Sequence, residues 1–169
     1  MKTLFILRHA KSSWDDPDLA DFDRPLNDRG RKAAPFMGRL MQRNGFVPSV
    51  ILSSPALRAR ETAMLVKADA ASNAEMEFED RIYEASPQTL LQVASGIDNR
   101  YESAMIVGHN PGMEGFIRFL TGKLESMPTA ALAVIDLDIS KWEQIDAESG
   151  RLRKIFRPKD EMKTFGKGN

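Results

Sequence analysis

Two histidines and two arginines in this chain stand where chemistry could be done. Arg8 and His9 directly follow the apolar run Thr3-Leu4-Phe5-Ile6-Leu7. Ser53, Ser54 and, a helical turn further, Arg58 follow Val50-Ile51-Leu52. Gly108, His109 and Asn110 follow Ala104-Met105-Ile106-Val107. Arginine presents a planar fork of donors that matches phosphate oxygens. Helix N-termini near Ser54 and Asn110 add backbone N–H groups and positive dipole ends. Together these groups suit a dianion. Like charges disfavour imidazolium, so a histidine beside the arginines should stay neutral. Neutral imidazole is a nucleophile, and its attack on phosphorus makes a phosphohistidine. A second histidine, charged when phosphate is bound, could stabilise the transferring phosphoryl group. The arginines and His109 supply the positive charge, so neither a metal nor another cofactor is expected. Taken singly, a histidine at a strand end is more often a hydrogen-bonded structural residue. Both histidines of the chain falling in this position is harder to dismiss.

The three apolar runs are short and lack strict alternation, as strands buried on both faces do. Glu75–Tyr83 alternates more and reads as an edge strand. Ala131–Ile139 and Leu152–Phe156, flanking a turn at Ser149-Gly150, read as two antiparallel strands. Helical spacing predicts helices over Asp28–Arg43, Ala56–Ala71, Pro87–Gly96 and Met113–Leu120. Pro35 inside the first of these should kink it or delay its start. Ser54-Pro55, Ser86-Pro87 and Asn110-Pro111 each read as an N-cap followed by proline at the first helical position. Strand and helix alternate, which implies a three-layer α/β/α domain with a mostly parallel central sheet. In such a sheet ligands bind at the carboxyl ends of the strands, where both histidines fall. Residues 1–158 form the expected domain, and 159–169 a polar, mobile C-terminal tail.

Composition sets the outer limits. With 169 residues the chain suits one domain and can bury a core without staples. It has no cysteine, in keeping with a reducing compartment such as the cytoplasm. Its 24 basic and 24 acidic residues cancel, which argues against a nucleic-acid partner. The first apolar run ends at Arg8, too early for a signal peptide or a membrane span.

The residues around these positions resemble the histidine phosphatase superfamily, which contains the cofactor-dependent phosphoglycerate mutases. Leu7-Arg8-His9-Ala10 is similar to its Arg-His-Gly signature. Ser53-Ser54-Pro55-Ala56-Leu57-Arg58-Ala59 is similar to its second motif and Val107-Gly108-His109-Asn110-Pro111-Gly112 to its third. Pro25-Leu26-Asn27-Asp28-Arg29-Gly30 matches the segment that opens the first helix. The short chain and Arg8-His9-Ala10-Lys11-Ser12-Ser13-Trp14 look most like SixA-type phosphohistidine phosphatases, as do Met127-Pro128-Thr129-Ala130-Ala131 and Phe156-Arg157-Pro158. The resemblance implies a phosphoglycerate-mutase-like fold with His9 as nucleophile. Arg8, Arg58 and His109 would complete the phosphate pocket, with Ser12 at a polar position near it. The substrate implied is a phosphohistidine on a partner protein, with no membrane partner.

Three points stay open in the sequence. Ala10 replaces the usual glycine after the histidine, which is tolerable if its φ is not positive. Glu84 lies near where many relatives carry a general acid, and it reads either as that acid or as an exposed loop carboxylate. A nitrogen leaving group can take its proton from solvent, whereas an ester oxygen needs an acid. The loop from Lys11 to Asn27 holds Asp15, Asp16, Asp18, Asp21 and Asp23, as a solvated turn or as a negative rim favouring basic neighbours. The alternatives to a phosphohistidine phosphatase are a phosphatase for small phosphate esters and a phosphoprotein-binding module with little turnover.

Overall fold

A computed structural model describes residues 1–167. Six strands form one sheet: β1 (Lys2–Arg8), β2 (Val50–Ser53), β3 (Glu75–Phe78), β4 (Ser103–Gly108), β5 (Leu132–Leu137) and β6 (Gly150–Phe156). Their order across the sheet is β3-β2-β4-β1-β5-β6. The first four run parallel, while β5 and β6 are antiparallel additions on the far side of β1. Five helices cover it: α1 (Asp28–Arg43), α2 (Leu57–Asp69), α3 (Pro87–Ser95), α4 (Gly112–Thr121) and α5 (Pro158–Lys167). The α/β architecture expected from the sequence is the one found.

The layers follow from strand periodicity, since successive side chains leave a strand on opposite faces. Leu4, Ile6, Val50, Leu52 and Ile106 pack with Leu90, Val93, Phe116 and Ile117 of α3 and α4. Phe5, Leu7, Ile51, Met105 and Val107 pack on the other face with Met37, Met41, Ala63 and Val66 of α1 and α2. The runs are apolar throughout because both faces are covered. The two edge strands, β3 and β6, are the more exposed ones.

Several boundaries differ from expectation. Helix α1 starts at Asp28 in spite of Pro35, with Asn27 accepting from the Gly30 amide at 2.9 Å. Pro35 therefore withholds one N–H from the carbonyl four residues back while the helix runs through. Of the three predicted proline starts, only Ser86-Pro87 behaves as a cap and first residue. Helix α2 begins at Leu57 and α4 at Gly112, each one residue beyond its proline or further. Ser54 and Asn110 still accept from the Ala56 and Glu114 amides beside those starts. Glu75–Tyr83 splits into the short strand β3 and a 3-10 turn at Asp80–Ile82. The segment expected to be a polar tail is helical from Pro158 to Lys167, because the Arg157 carbonyl accepts from both Asp160 and Glu161 amides. The last two residues of that expected tail lie outside the described residues. No helix among the described residues is long and apolar enough to cross a membrane.

Candidate active site

Strands β1 and β4 lie side by side in register, with Arg8 opposite Gly108. The His9 amide then donates to the Gly108 carbonyl at 3.0 Å, one residue beyond the ladder. This register brings the rings of His9 and His109 to 5.2 Å between centroids. The Ser54 amide bonds the Val107 carbonyl at 2.9 Å, so β2 delivers Ser54 and α2 to the same edge. Arg8, His9, Arg58 and His109, named from the sequence, are thus gathered in one place.

Local bonds hold His9 in one form. Its Nδ1 lies 2.7 Å from the Ala10 carbonyl oxygen, which can only accept. Nδ1 therefore carries the proton and Nε2 keeps its lone pair. The Ala10 amide donates to Thr62 Oγ1 at 2.9 Å, and that hydroxyl donates to the Arg58 carbonyl at 2.7 Å. Thr62 thus ties the backbone behind His9 to the helix that carries Arg58. Ala10 is not among the residues with positive φ and is fully buried, so the missing glycine costs nothing here.

Burial pushes the His9 pKa down to about 3, with His109, Arg58 and Arg8 adding smaller effects and the Ala10 bond opposing them. His109 is pushed down to about 4, again first by burial and then by Arg58. The sequence argument credited neighbouring charge with keeping one imidazole neutral; for both rings burial is the larger cause. His109 Nε2 lies 2.7 Å from Ser54 Oγ, which also accepts from the Ala56 amide at 3.2 Å. Among the described residues, two buried side-chain nitrogens have no hydrogen-bond partner: Arg8 Nε and His109 Nδ1. The first is always a donor, and both belong to this cluster. Arg8 is fixed from its other end, where Nη1 donates to the Met127 carbonyl at 3.0 Å. Asn110 donates to the same carbonyl at 2.9 Å, and Glu114 accepts from the Met127 amide at 3.0 Å. The Ala130 amide reaches the carbonyls of Arg8 and His9.

Arg58 is held by a residue that sequence reasoning had left among five. Its guanidinium donates to the Asp21 backbone oxygen at 2.7 Å and to Asp21 Oδ2 at 2.9 Å. Tyr83 donates to the same carboxylate oxygen at 2.7 Å, and Arg24 pairs with the other at 3.2 Å. Desolvation pushes the Asp21 carboxyl up, but the bonds from Tyr83 and Arg58 and the charges of Arg58 and Arg24 together hold it below the usual range. Tyr83 stands edge-on to His109, with centroids 5.5 Å apart, and is capped by Phe22 at 5.1 Å. Nothing in the spacing of the aspartates singled out Asp21, because its partners come from α2 and the turn after β3.

The remaining two candidates lie further out. Ser12 accepts from Arg24 at 2.9 Å, so its hydroxyl braces the cation that pairs with Asp21. Arg24 also stacks on Trp14, 3.0 Å from the ring centre. Glu84 is exposed, yet it lines a cavity of about 510 Å³ together with His109, Asn110 and Gly112. Its φ of 55° is left-handed, a conformation that non-glycine residues hold where surroundings demand it.

Residues 4–90 match the family model of the histidine phosphatase superfamily, branch 1. An uncharacterised chloroplastic protein of Arabidopsis thaliana is 33% identical over 158 residues, covering 88% of this chain and 72% of the relative. A chain assigned as the phosphohistidine phosphatase SixA of Agrobacterium tumefaciens superposes with a TM-score of 0.81 at 30% identity, covering 93% of this chain and 98% of that one. A protein histidine phosphatase SixA complexed with tungstate shares the fold, with a TM-score of 0.82 at 21% identity over 94% of this chain and 99% of the other. Two buried histidines on adjoining parallel strands, two arginines around them and this agreement in sequence and fold lead to one assignment: the chain belongs to the histidine phosphatase superfamily and is a phosphatase with a SixA-like fold.

Proposed function

We propose that this phosphatase removes phosphate from phosphohistidine on a partner protein through a phospho-His9 intermediate, without a metal ion. One observation carries the reading: the buried, unpartnered nitrogens of Arg8 and His109 beside a neutral His9. Leaving a buried donor unpaired costs about 1–3 kcal/mol, a cost that a tetrahedral oxyanion between them removes. His9 Nε2 attacks phosphorus while the bond from phosphorus to the substrate nitrogen breaks. The leaving imidazole takes a proton from solvent. Water then attacks phospho-His9, releasing inorganic phosphate and restoring the free imidazole. Arg8, Arg58 and His109 stabilise the charge on the three equatorial oxygens. A nitrogen leaving group suits a site in which the exposed Glu84 bonds neither histidine and Asp21 is engaged by Arg58 and Tyr83.

The test compares phosphohistidine with an aryl phosphate ester in excess chelator. Wild type should hydrolyse phosphohistidine, and His9→Ala should lose at least about a thousandfold. Faster turnover of the ester, lost in Glu84→Gln, would support the second reading, a small-ester phosphatase, which the position of Glu84 in the His109 cavity favours. Binding of phosphate with no turnover of either would leave only a binding module.

A further inference from the structure

A second concavity opens beside the site, on the side of α1 and α5. It holds about 420 Å³ and has an apolar floor of Ala33, Pro128, Pro158 and Met162. Five cations surround that floor: Lys11, Arg29, Lys32, Lys159 and Lys163. None of the five forms an ion pair among the described residues. No carboxylate lines the groove, although Asp160 and Glu161 lie on the same helix. In a chain whose charges cancel overall, this is a segregated patch.

Two segments that line the groove adjoin residues of the candidate site along the chain. Lys11 follows His9 by two residues, and its carbonyl accepts from the Asn27 amide at 3.0 Å. Gly30 presses α1 onto that carbonyl so closely that a Cβ there would stand 2.2 Å from it. On the other wall, Pro128 and Thr129 sit between Met127, which holds Arg8, and Ala130, which bonds the Arg8 and His9 carbonyls. Both walls of the groove are thus anchored on the backbone that carries Arg8 and His9.

We infer that this groove docks an acidic, partly apolar segment of the phosphorylated protein, flanking its phosphohistidine. The inference rests on the phosphoprotein reading of the site and names what that protein must carry. Apolar side chains of the segment cover Met162, Pro128 and Pro158, and its carboxylates meet the five cations. The groove then sets which phosphohistidines are bound, through KM, while the catalytic groups set the rate once one is bound.

The experiment uses three substrates: free phosphohistidine, and two phosphohistidine peptides with acidic or uncharged flanks. The variant is Lys32→Glu combined with Lys159→Glu, both exposed and outside the catalytic cluster. Lys32→Ala with Lys159→Ala serves as a milder version, and circular dichroism checks the fold of each. Wild type should prefer the acidic peptide at least about tenfold in kcat/KM, and this preference should shrink in high salt. The charge-reversed variant should lose the preference through KM and leave turnover of free phosphohistidine unchanged. Equal turnover of both peptides by wild type overturns the inference, as does an equal loss for free and peptide substrates in the variants. Anisotropy of a fluorescein-labelled, unphosphorylated acidic peptide separates this inference from the proposed function. If no substrate is turned over, the function falls, and peptide binding lost on charge reversal still upholds the groove. Binding of ATP in preference to the peptide, or a dimer that the variant dissociates, overturns the acidic-segment assignment.

Discussion

At the scale of single residues, the protonation of two buried rings ties catalysis to stability. His9 and His109 have pKa values of about 3 and about 4 in the folded chain. The unfolded chain binds protons near the ordinary histidine value of about 6.5. Between those values the unfolded state holds more protons, so stability falls as pH drops from about 6.5 towards 4, and is fully present above 6.5. The slope reaches about 1.4 kcal/mol per pH unit for each histidine. Urea titrations at pH 7, 6 and 5 should show it, and His109→Asn should remove part of it. Asp21 offers a second test, because under the proposed mechanism its carboxylate would compete with phosphate for Arg58. Asp21→Asn keeps the shape and removes the charge, so orthovanadate inhibition should tighten by about three- to tenfold. The histidines and arginines were legible in the sequence because each follows a buried strand. Asp21, Thr62 and Tyr83 were not, since their partners meet only when α2, the first loop and the turn after β3 are brought together.

At the scale of elements, close backbone approaches position the chemistry. Helix α4 begins at Gly112, whose added Cβ would stand 2.1 Å from the Ala85 carbonyl oxygen. Gly112→Ala must therefore push α4 away from the turn that carries Glu84, dragging His109 and Asn110 with it. We expect a loss of about 2–4 kcal/mol in urea unfolding together with reduced kcat, because neighbouring atoms cannot yield as a flexible side chain would. The apolar runs made the strands readable, and Asp28–Arg43 was read with its observed limits. The proline signals at Ser54 and Asn110 misplaced two helix starts. Both side chains bond partners of the site, His109 and Met127, while still accepting from the Ala56 and Glu114 amides at the start of the following helices.

At the scale of the whole molecule, the two core layers form one body, and α5 stands outside them. None of its residues from Pro158 to Thr164 enters either core cluster. Its helicity escaped the sequence reading because Lys159–Lys163 offers only Met162 as an apolar anchor among four charged residues. A chain ending at Pro158 should therefore keep a single cooperative unfolding transition, with Tm lowered by no more than about 5 °C, as followed by circular dichroism. Two transitions, or loss of the folded signal, would show that the last helix is part of the cooperative unit. The central position of β1 and β4 has a kinetic corollary. The amides of Ile6 and Ile106 sit inside the sheet, and that of His9 is bonded to Gly108 at its rim. Deuterium from solvent reaches such amides only through the rarest openings, whereas the exposed turn around Asp21 exchanges early. The backbone that holds His9 should thus keep its deuterium-free amide long after the loops around it have exchanged.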